Sequence, residues 1–398
     1  MPPDISIEPD FSIELVTSIN AISAYDWDNL VIGDSLGDGT PLLSHAFLSA
    51  LENSGSVGAG TGWAPHPLIV KQGSQLIGAM PLYLKSHSYG EYVFDWAWAD
   101  AYQRSGLDYY PKLLSAIPFS PITSSRLLTK QPEIAALMID ALISTMHQHK
   151  LSSAHVLFPD ATCAKQFDIA GWHKRTGVQF RWQNKNYADF EDFLAILSHD
   201  KRKKIHQERK KVQAAGVTCR HIKGAQITEH DWDFFYRCYC NTYAQHHSTP
   251  YLTRAFFDEI GKSMPQNLLL MVAEIGGKPI ASALNIYNQT TLFGRYWGAL
   301  EFVSGLHFEL CYYQAQIFCI AEKITDFEGG AQGEHKLARG FEPRSTCSYH
   351  KIAHPDFEVA IKDYLNRESV GIAVYTNEYD DTLVEVDEMQ IDKLYQSL

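Results

Sequence analysis

The chain has 398 residues, 45% hydrophobic and 20% charged, and its 8 Trp, 21 Tyr and 20 Phe carry far more buriable surface than a disordered chain. At roughly 150 residues per domain the length suits two or three domains. A net charge of −12 excludes a generally basic, nucleic-acid-coating protein, and seven scattered cysteines, odd in number, argue against a disulfide framework. No apolar run approaches the roughly 18–20 residues that cross a bilayer, so no membrane insertion is expected. The N-terminus, Met1-Pro2-Pro3-Asp4, carries neither the cation nor the apolar stretch of a secretory signal, which predicts a cytoplasmic location.

In chain order, helices are expected over 22–30 and 42–51, separated by a Gly-rich loop at 33–39. That loop has two acids and no lysine, the opposite of a phosphate cradle. Residues 67–71, 75–85 and 89–99 make a three-stranded meander around Gly73 and Ser86-His87-Ser88, followed by a helix over 107–117 with Pro111 in its first turn. After a boundary near 177–187, Phe190, Phe193, Leu194 and Leu197 mark a helix at i, i+3, i+4, i+7. A charged helix over 201–215 follows, ended by Gly216. Thr228-x-x-Asp231 is a capping box opening a helix with Trp232, Phe235, Tyr239 and Tyr243 on one face.

Strands at 268–274, 279–287 and 292–300, turning at Gly276-Gly277 and Asn288-Gln289, then lead into a helix over 306–323 and a strand at 324–327. The order is β-β-β-α-β. At an offset of 203, Ile77-Gly78-Ala79 aligns with Ile280-Ala281-Ser282, and Leu107-x-Tyr109-Tyr110 with Leu310-x-Tyr312-Tyr313. One plan thus recurs twice, in an α+β fold of mostly antiparallel sheets flanked by helices, with domains at 1–180 and 181–355. The tail, 356–398, is one helix to about residue 369 and then an acidic segment.

Three groups of residues could carry chemistry. Lys201, Arg202, Lys203, Lys204, Arg209, Lys210 and Lys211, offset only by Glu208, put +6 into eleven residues. Such focusing attracts a phosphate-bearing ligand or tRNA, although a solvated helix face carries the same pattern. Gln332, Glu334, His335, Lys336 and Arg339 follow the last strand of the second copy among Gly330, Gly333 and Gly340. There a Glu beside a His offers a general base, and the two cations an anion site. Finally Arg295, Tyr296 and Trp297 lead to His307 and Glu309, and their first-copy counterpart holds Asp95, Trp96, Asp100 and Tyr102, a candidate lined pocket. Cys238-x-Cys240 and His246-His247 lack the clustering of a zinc site, and no metal is expected.

The segments 81–96, Tyr109-Tyr110-Pro111-Lys112-Leu113, Gly294-Arg295-Tyr296-Trp297-Gly298, 307–314 and Gly333-Glu334-His335-Lys336 together resemble the FemAB-like bacterial proteins of the GNAT acyltransferase superfamily, known for peptidoglycan biosynthesis or recognition. The resemblance spans about residues 12–367 and implies tandem GNAT folds. It implies an acyl donor lying where two central strands part, with a backbone N–H polarising the carbonyl that an amine attacks. The donor would be an acyl-CoA or an aminoacyl-tRNA, and the acceptor an amine, such as that of a peptidoglycan precursor. In this frame Glu334 or His335 is the expected base, Tyr313 or Tyr296 the acid, and Arg295, Lys336 and Arg339 binders of phosphate or carboxylate. The Arg/Gln-x-x-Gly-x-Gly/Ala pyrophosphate loop of acetyl-CoA enzymes is replaced by residues 298–305, which puts acetyl-CoA in question. A non-catalytic protein that binds a cell-wall or nucleotide-linked ligand is the alternative.

Overall fold

The computed structural model describes residues 11–32, 39–330 and 333–381. Most of the 33–39 loop, Gln332 and residues 382–398 lie outside the described residues, and the terminal helix runs on to Asp381 instead of ending near residue 369. Among the described residues there are fourteen strands: β1 (Phe11–Leu15), β2 (Trp63–Pro65), β3 (Leu68–Gln72), β4 (Gln75–Met80), β5 (Tyr83–Lys85), β6 (Lys112–Ser115) and β7 (Ser153–Leu157), then β8 (His173–Gln183), β9 (Val217–Lys223), β10 (Leu268–Ile275), β11 (Lys278–Tyr287), β12 (Thr291–Ala299), β13 (Asp326–Glu328) and β14 (Glu342–Ile352). Eleven of them form one sheet in the order β2-β5-β6-β7-β14-β8-β13-β12-β11-β10-β9, and β1-β3-β4 form a second.

All pairings are antiparallel except β6 with β7 and β12 with β13. A helix links each parallel pair, as a parallel crossover requires. The first is α4 (Pro132–Gln148). The second, here called α10, starts at Leu306–Phe308, passes through a π-helical turn at Glu309–Tyr313 and continues over Gln314–Ala321. Between the two parallel pairs lie β14 and β8. The strand that follows β7 in sequence, β8, pairs with β13 of the second half, while β14 returns to pair with β7 of the first. The halves therefore exchange their last strands, which makes one continuous sheet of a duplicated plan.

The remaining helices cover this sheet. They are α1 (Ala24–Ile32), α2 (His45–Asn53), α3 (Trp96–Arg104), α5 (Ala161–Ile169), α6 (Phe190–Ala195), α7 (His199–Ala214), α8 (Glu229–Gln245), α9 (Arg254–Ser263) and α11 (Pro355–Asp381). One apolar core runs through both halves, with Phe47 of α2 edge-on to Phe256 of α9 at 5.5 Å. Both rings are fully buried, worth about 1.5–3 kcal/mol each. The capping box at Thr228 and Asp231 opens α8 as expected. Close packing sets a further constraint, since a Cβ on Gly298 of β12 would lie 1.9 Å from the Cys238 carbonyl oxygen of α8. No described helix is long and apolar enough to cross a membrane.

Two expected elements of the first half are corrected. Residues 89–99 are not a strand: Gly90 and Tyr92 turn with φ of 80° and 61°, and α3 begins at Trp96. The Phe119 ring occupies the place of a side chain at Gly90, 2.6 Å from where its Cβ would be. Residues 107–117 are not a helix, because Pro111 supplies no N–H and biases Tyr110 to extended backbone. Lys112–Ser115 instead pairs with β7. The 203 offset thus relates β4, starting at Gln75, to β11, starting at Lys278, but relates the irregular segment at Leu107 to the helix at Leu310.

Candidate active site

β12 and β13 pair only at Thr291–Asp326, Leu292–Phe327 and Phe293–Glu328. Beyond that point β13 ends while β12 continues, and the sheet opens into a cavity of about 130 Å3 bordered by Asn285, Arg295, Trp297, His307 and Tyr312. Across β11 and β12, Leu284 faces Tyr296 and Asn285 faces Gly294, so Arg295 is the extra residue of a bulge. A bulge leaves backbone groups unpaired and re-aims its side chain. Here Arg295 reaches the first half, its Nη1 donating to Ser120 Oγ at 2.7 Å.

Three buried side-chain atoms beside the opening have no hydrogen-bond partner among the described residues: Tyr296 Oη, Asn285 Nδ2 and Glu328 Oε2. Leaving each unmade costs about 1–3 kcal/mol, so the site is prepared for polar atoms of a ligand. Glu328 was not anticipated. Its Oε1 accepts from Arg181 Nη2 at 2.6 Å, and burial raises its pKa against the pull of Arg181. Close by, Lys336 Nζ donates to the Gly330 carbonyl at 2.8 Å. Burial, reinforced by Arg295, pushes the Lys336 ammonium down to about 7. A carboxylate biased toward its acid and an ammonium biased toward its amine are both suited to proton transfer near neutral pH.

Aromatic rings form the mouth. The Trp297 and His307 rings lie 5.0 Å apart, and Tyr312 Oη is hydrogen-bonded to His335 Nε2 at 2.9 Å. Burial and the Arg339, Lys336 and Lys204 charges hold His335 down at about 4, and burial with His335 does the same to His307. Both imidazoles are neutral at pH 7, hydrogen-bonding groups rather than ready proton stores. The Glu334 side chain lies outside the described residues.

Other expected residues form the wall. Tyr313 Oη donates to Glu208 of α7, which also accepts from Arg339 Nη2 at 2.7 Å. Arg339 is buried, stacked 3.4 Å over the Phe308 ring. Glu309 accepts from Arg209 Nε at 3.2 Å and Gln314 Nε2 at 2.8 Å. Tyr312, not Tyr313, faces the opening.

The basic helix α7 is made of strong helix formers, is capped by Ser198 and buries only Ile205 and Val212. Two of its cations are spent internally, Arg209 on Glu309 and Arg202 on the Ala195 and Leu197 carbonyls. Lys201 is half-buried, whereas Lys203, Lys204, Lys210 and Lys211 stay exposed. Lys204, one turn before Glu208, lies on the side of α7 that meets Tyr313 and Arg339 in the wall of the opening.

The first-half group does not line the opening. Asp95 is buried against Lys112, Asp100 pairs with Arg104 on the surface, and Tyr102 stacks on Phe357 at 3.9 Å. Trp96 is exposed. Among the described residues no cluster of His, Cys, Asp and Glu is arranged to hold a metal.

The family model for FemAB-like proteins, described as peptidoglycan biosynthesis/recognition, matches residues 18–384. No curated protein matches the chain. Among solved structures FemX aligns with a TM-score of 0.52 at 10% identity, over 86% of this chain and 98% of its own. A tandem GNAT protein from the clavulanic acid biosynthesis pathway gives 0.46 at 11% identity, over 87% and 99%. L-PGS from Bacillus licheniformis gives 0.46 at 9%, over 80% and 95%. At that identity the likeness to FemX speaks to the fold, which agrees with the duplicated plan and the two parallel strand pairs. The chain belongs to the FemAB-like family and shares the fold of FemX.

Proposed function

We propose that this protein transfers an acyl or aminoacyl group to an amine of a peptidoglycan precursor in the cytoplasm, with the reacting carbonyl seated where β12 and β13 part. The observation that carries this reading is the opening itself: a bulged strand beside three buried polar atoms that lack partners among the described residues. The backbone at the Arg295 bulge serves as the oxyanion donor. An acceptor ammonium gives one proton to Glu328 or Lys336, and its nitrogen attacks the carbonyl carbon. A second proton leaves that nitrogen as the C–O or C–S bond to the donor breaks, and the departing oxygen or sulfur takes a proton from Tyr296 or Tyr312. The balance is one amide formed, one ester or thioester broken and one proton released.

Donor phosphates lie on the exposed lysines of α7, beside the mouth. An aminoacyl-tRNA and an acyl-CoA both present such phosphates, and the missing pyrophosphate loop favours the former. Calorimetric titration with acetyl-CoA, longer acyl-CoAs, UDP-linked muropeptide and deacylated tRNA separates them. The same titrations are made on a variant with Lys203, Lys204, Lys210 and Lys211 changed to Ala. Tight tRNA binding that is lost in the variant supports the aminoacyl donor; saturable CoA binding replaces it with the thioester. Muropeptide bound without turnover in the presence of any donor supports a recognition protein instead.

A further inference from the structure

Between β5 and α3 the ordinary placement of side chains is inverted. Ser88, Glu91 and Asp95 point inward and are 3–5% exposed, while Tyr89, Tyr92, Phe94 and Trp96 point outward at 56, 36, 55 and 41%. The buried side is tied down: Lys112 Nζ donates to Ser88 Oγ at 2.7 Å, to Glu91 Oε2 at 2.8 Å and to Asp95 Oδ2. Tyr109 adds a hydrogen bond to Asp95 at 2.7 Å, and Lys85, stacked 3.6 Å from the Trp63 ring centroid, lies 3.9 Å from Glu91. Burying two lysines and two carboxylates while exposing four aromatic rings runs against solvation on both counts. The expense is intelligible if the rings are held out for a ligand.

The adjacent groove indicates which ligand. Tyr92 and Phe94 overhang a depression of about 170 Å3 whose floor is β8 and β14, with Gln179, Thr346 and Ser348 among its polar groups. Its one arginine, Arg175, is neutralised by Glu368 through a two-pronged contact, both bonds 2.7 Å, and also donates to the Phe94 carbonyl at 2.6 Å. The floor is thus polar without a free positive charge, which disfavours a phosphate-rich partner, and too polar for an apolar helix. Flat apolar rings beside neutral hydrogen-bonding groups match a pyranose, whose C–H face packs on a ring while its hydroxyl and amide groups take hydrogen bonds. The groove also adjoins the opening: its Gln179 donates to the Pro121 carbonyl at 2.7 Å, next to Ser120, which Arg295 reaches.

We infer that the segment 88–96 is a rigid aromatic platform that binds a sugar ring of the acceptor. The inference rests on the transferase reading for its role, but its test does not. A soluble β-linked N-acetylglucosamine oligomer and a stem pentapeptide without sugar are each titrated into the full chain, with no donor present, and followed by calorimetry and tryptophan fluorescence. Saturable binding of the oligomer is expected, about tenfold weaker in Trp96→Ala and in Phe94→Ala. Trp96→Phe should restore most of the affinity, and Ile169→Ala, an exposed apolar change elsewhere, should leave it unaltered. Equal thermal unfolding of wild type and variants excludes loss of fold as the cause. The inference is overturned if the oligomer does not bind, if the pentapeptide alone binds and responds to Trp96→Ala, or if sedimentation shows a dimer that Trp96→Ala dissociates. A chain without transfer activity that still binds the oligomer at these residues would remove the transferase reading and leave the platform.

Discussion

Lys112→Met tests the buried network beneath the platform. Lys112 is fully buried and faces two carboxylates, Asp95 and Glu91, each about 3% exposed. Burial alone would raise Asp95, yet Lys112, with His155, holds it down at about 2. Against an ordinary aspartate near 3.9, that is roughly two pK units, or about 2–3 kcal/mol. Glu91, already pushed up to about 7 by burial, also loses its main opposing charge, so the substitution should cost about 3–5 kcal/mol in all. The sign with pH follows. The depressed pKa of Asp95 contributes stability that is present above about 4 and lost as pH falls through about 2. In the variant both carboxylates have raised values, which penalise the folded state more as pH rises. The loss relative to wild type is therefore largest at pH 8 and shrinks toward pH 5. Urea unfolding of both proteins at the two pH values measures it. A loss below about 1 kcal/mol, or one independent of pH, would refute the reasoning.

Elsewhere the structure makes equally definite demands. Glu208→Ala leaves buried Arg339 without its carboxylate and should lower Tm by on the order of 10 °C, with Glu208→Gln milder; a thermal scan reads both. Gly298→Ala drives a Cβ into the Cys238 carbonyl and should cost at least about 1–3 kcal/mol in chemical denaturation. Because the Lys336 ammonium is held near 7, binding of an anionic donor group should weaken as pH rises through 7, and Lys336→Arg should flatten that dependence in titrations from pH 6 to 8.5.

The second half was legible because each of its elements announces itself locally. The capping box at Thr228, the Gly276-Gly277 turn and the helical spacing of Phe190, Phe193, Leu194 and Leu197 all act within a few residues. The first half misled for a physical reason. Over 88–99 the inward residues are Ser88, Glu91, Asp95 and Trp98, three or four apart rather than alternating, and the first three are held by a lysine more than fifteen residues away, which no local pattern announces. At Pro111 the sequence carried the correct warning, since a proline five residues into the expected helix removes an N–H and argues against a helix running through it from Leu107. The exchange of β8 and β14 between halves depends on pairing across the whole chain, which no local pattern records. Around the opening, Arg295, Trp297, His307, His335 and Lys336 stood out by type and position. Glu328 did not, since a carboxylate at a strand end resembles an exposed edge until β8 and Arg181 cover it. Asn285 escaped for a similar reason: only the bulge opposite it gives its amide a place in the site.

Transfer itself is the most direct measurement. Wild type is incubated with a labelled donor, aminoacyl-tRNA or acyl-CoA as the titrations select, and an amine-bearing muropeptide, and amide formation is followed by mass spectrometry. Two variants accompany it: Glu328→Gln, which removes the carboxylate, and Gly294→Val, which fills the parting of the strands next to Phe327 and Asn285. The account predicts amide product from wild type, a loss of about 100-fold or more in kcat for Glu328→Gln with donor affinity retained, and no product from a folded Gly294→Val chain. Undiminished product from both folded variants would contradict it and move the chemistry away from the opening between β12 and β13.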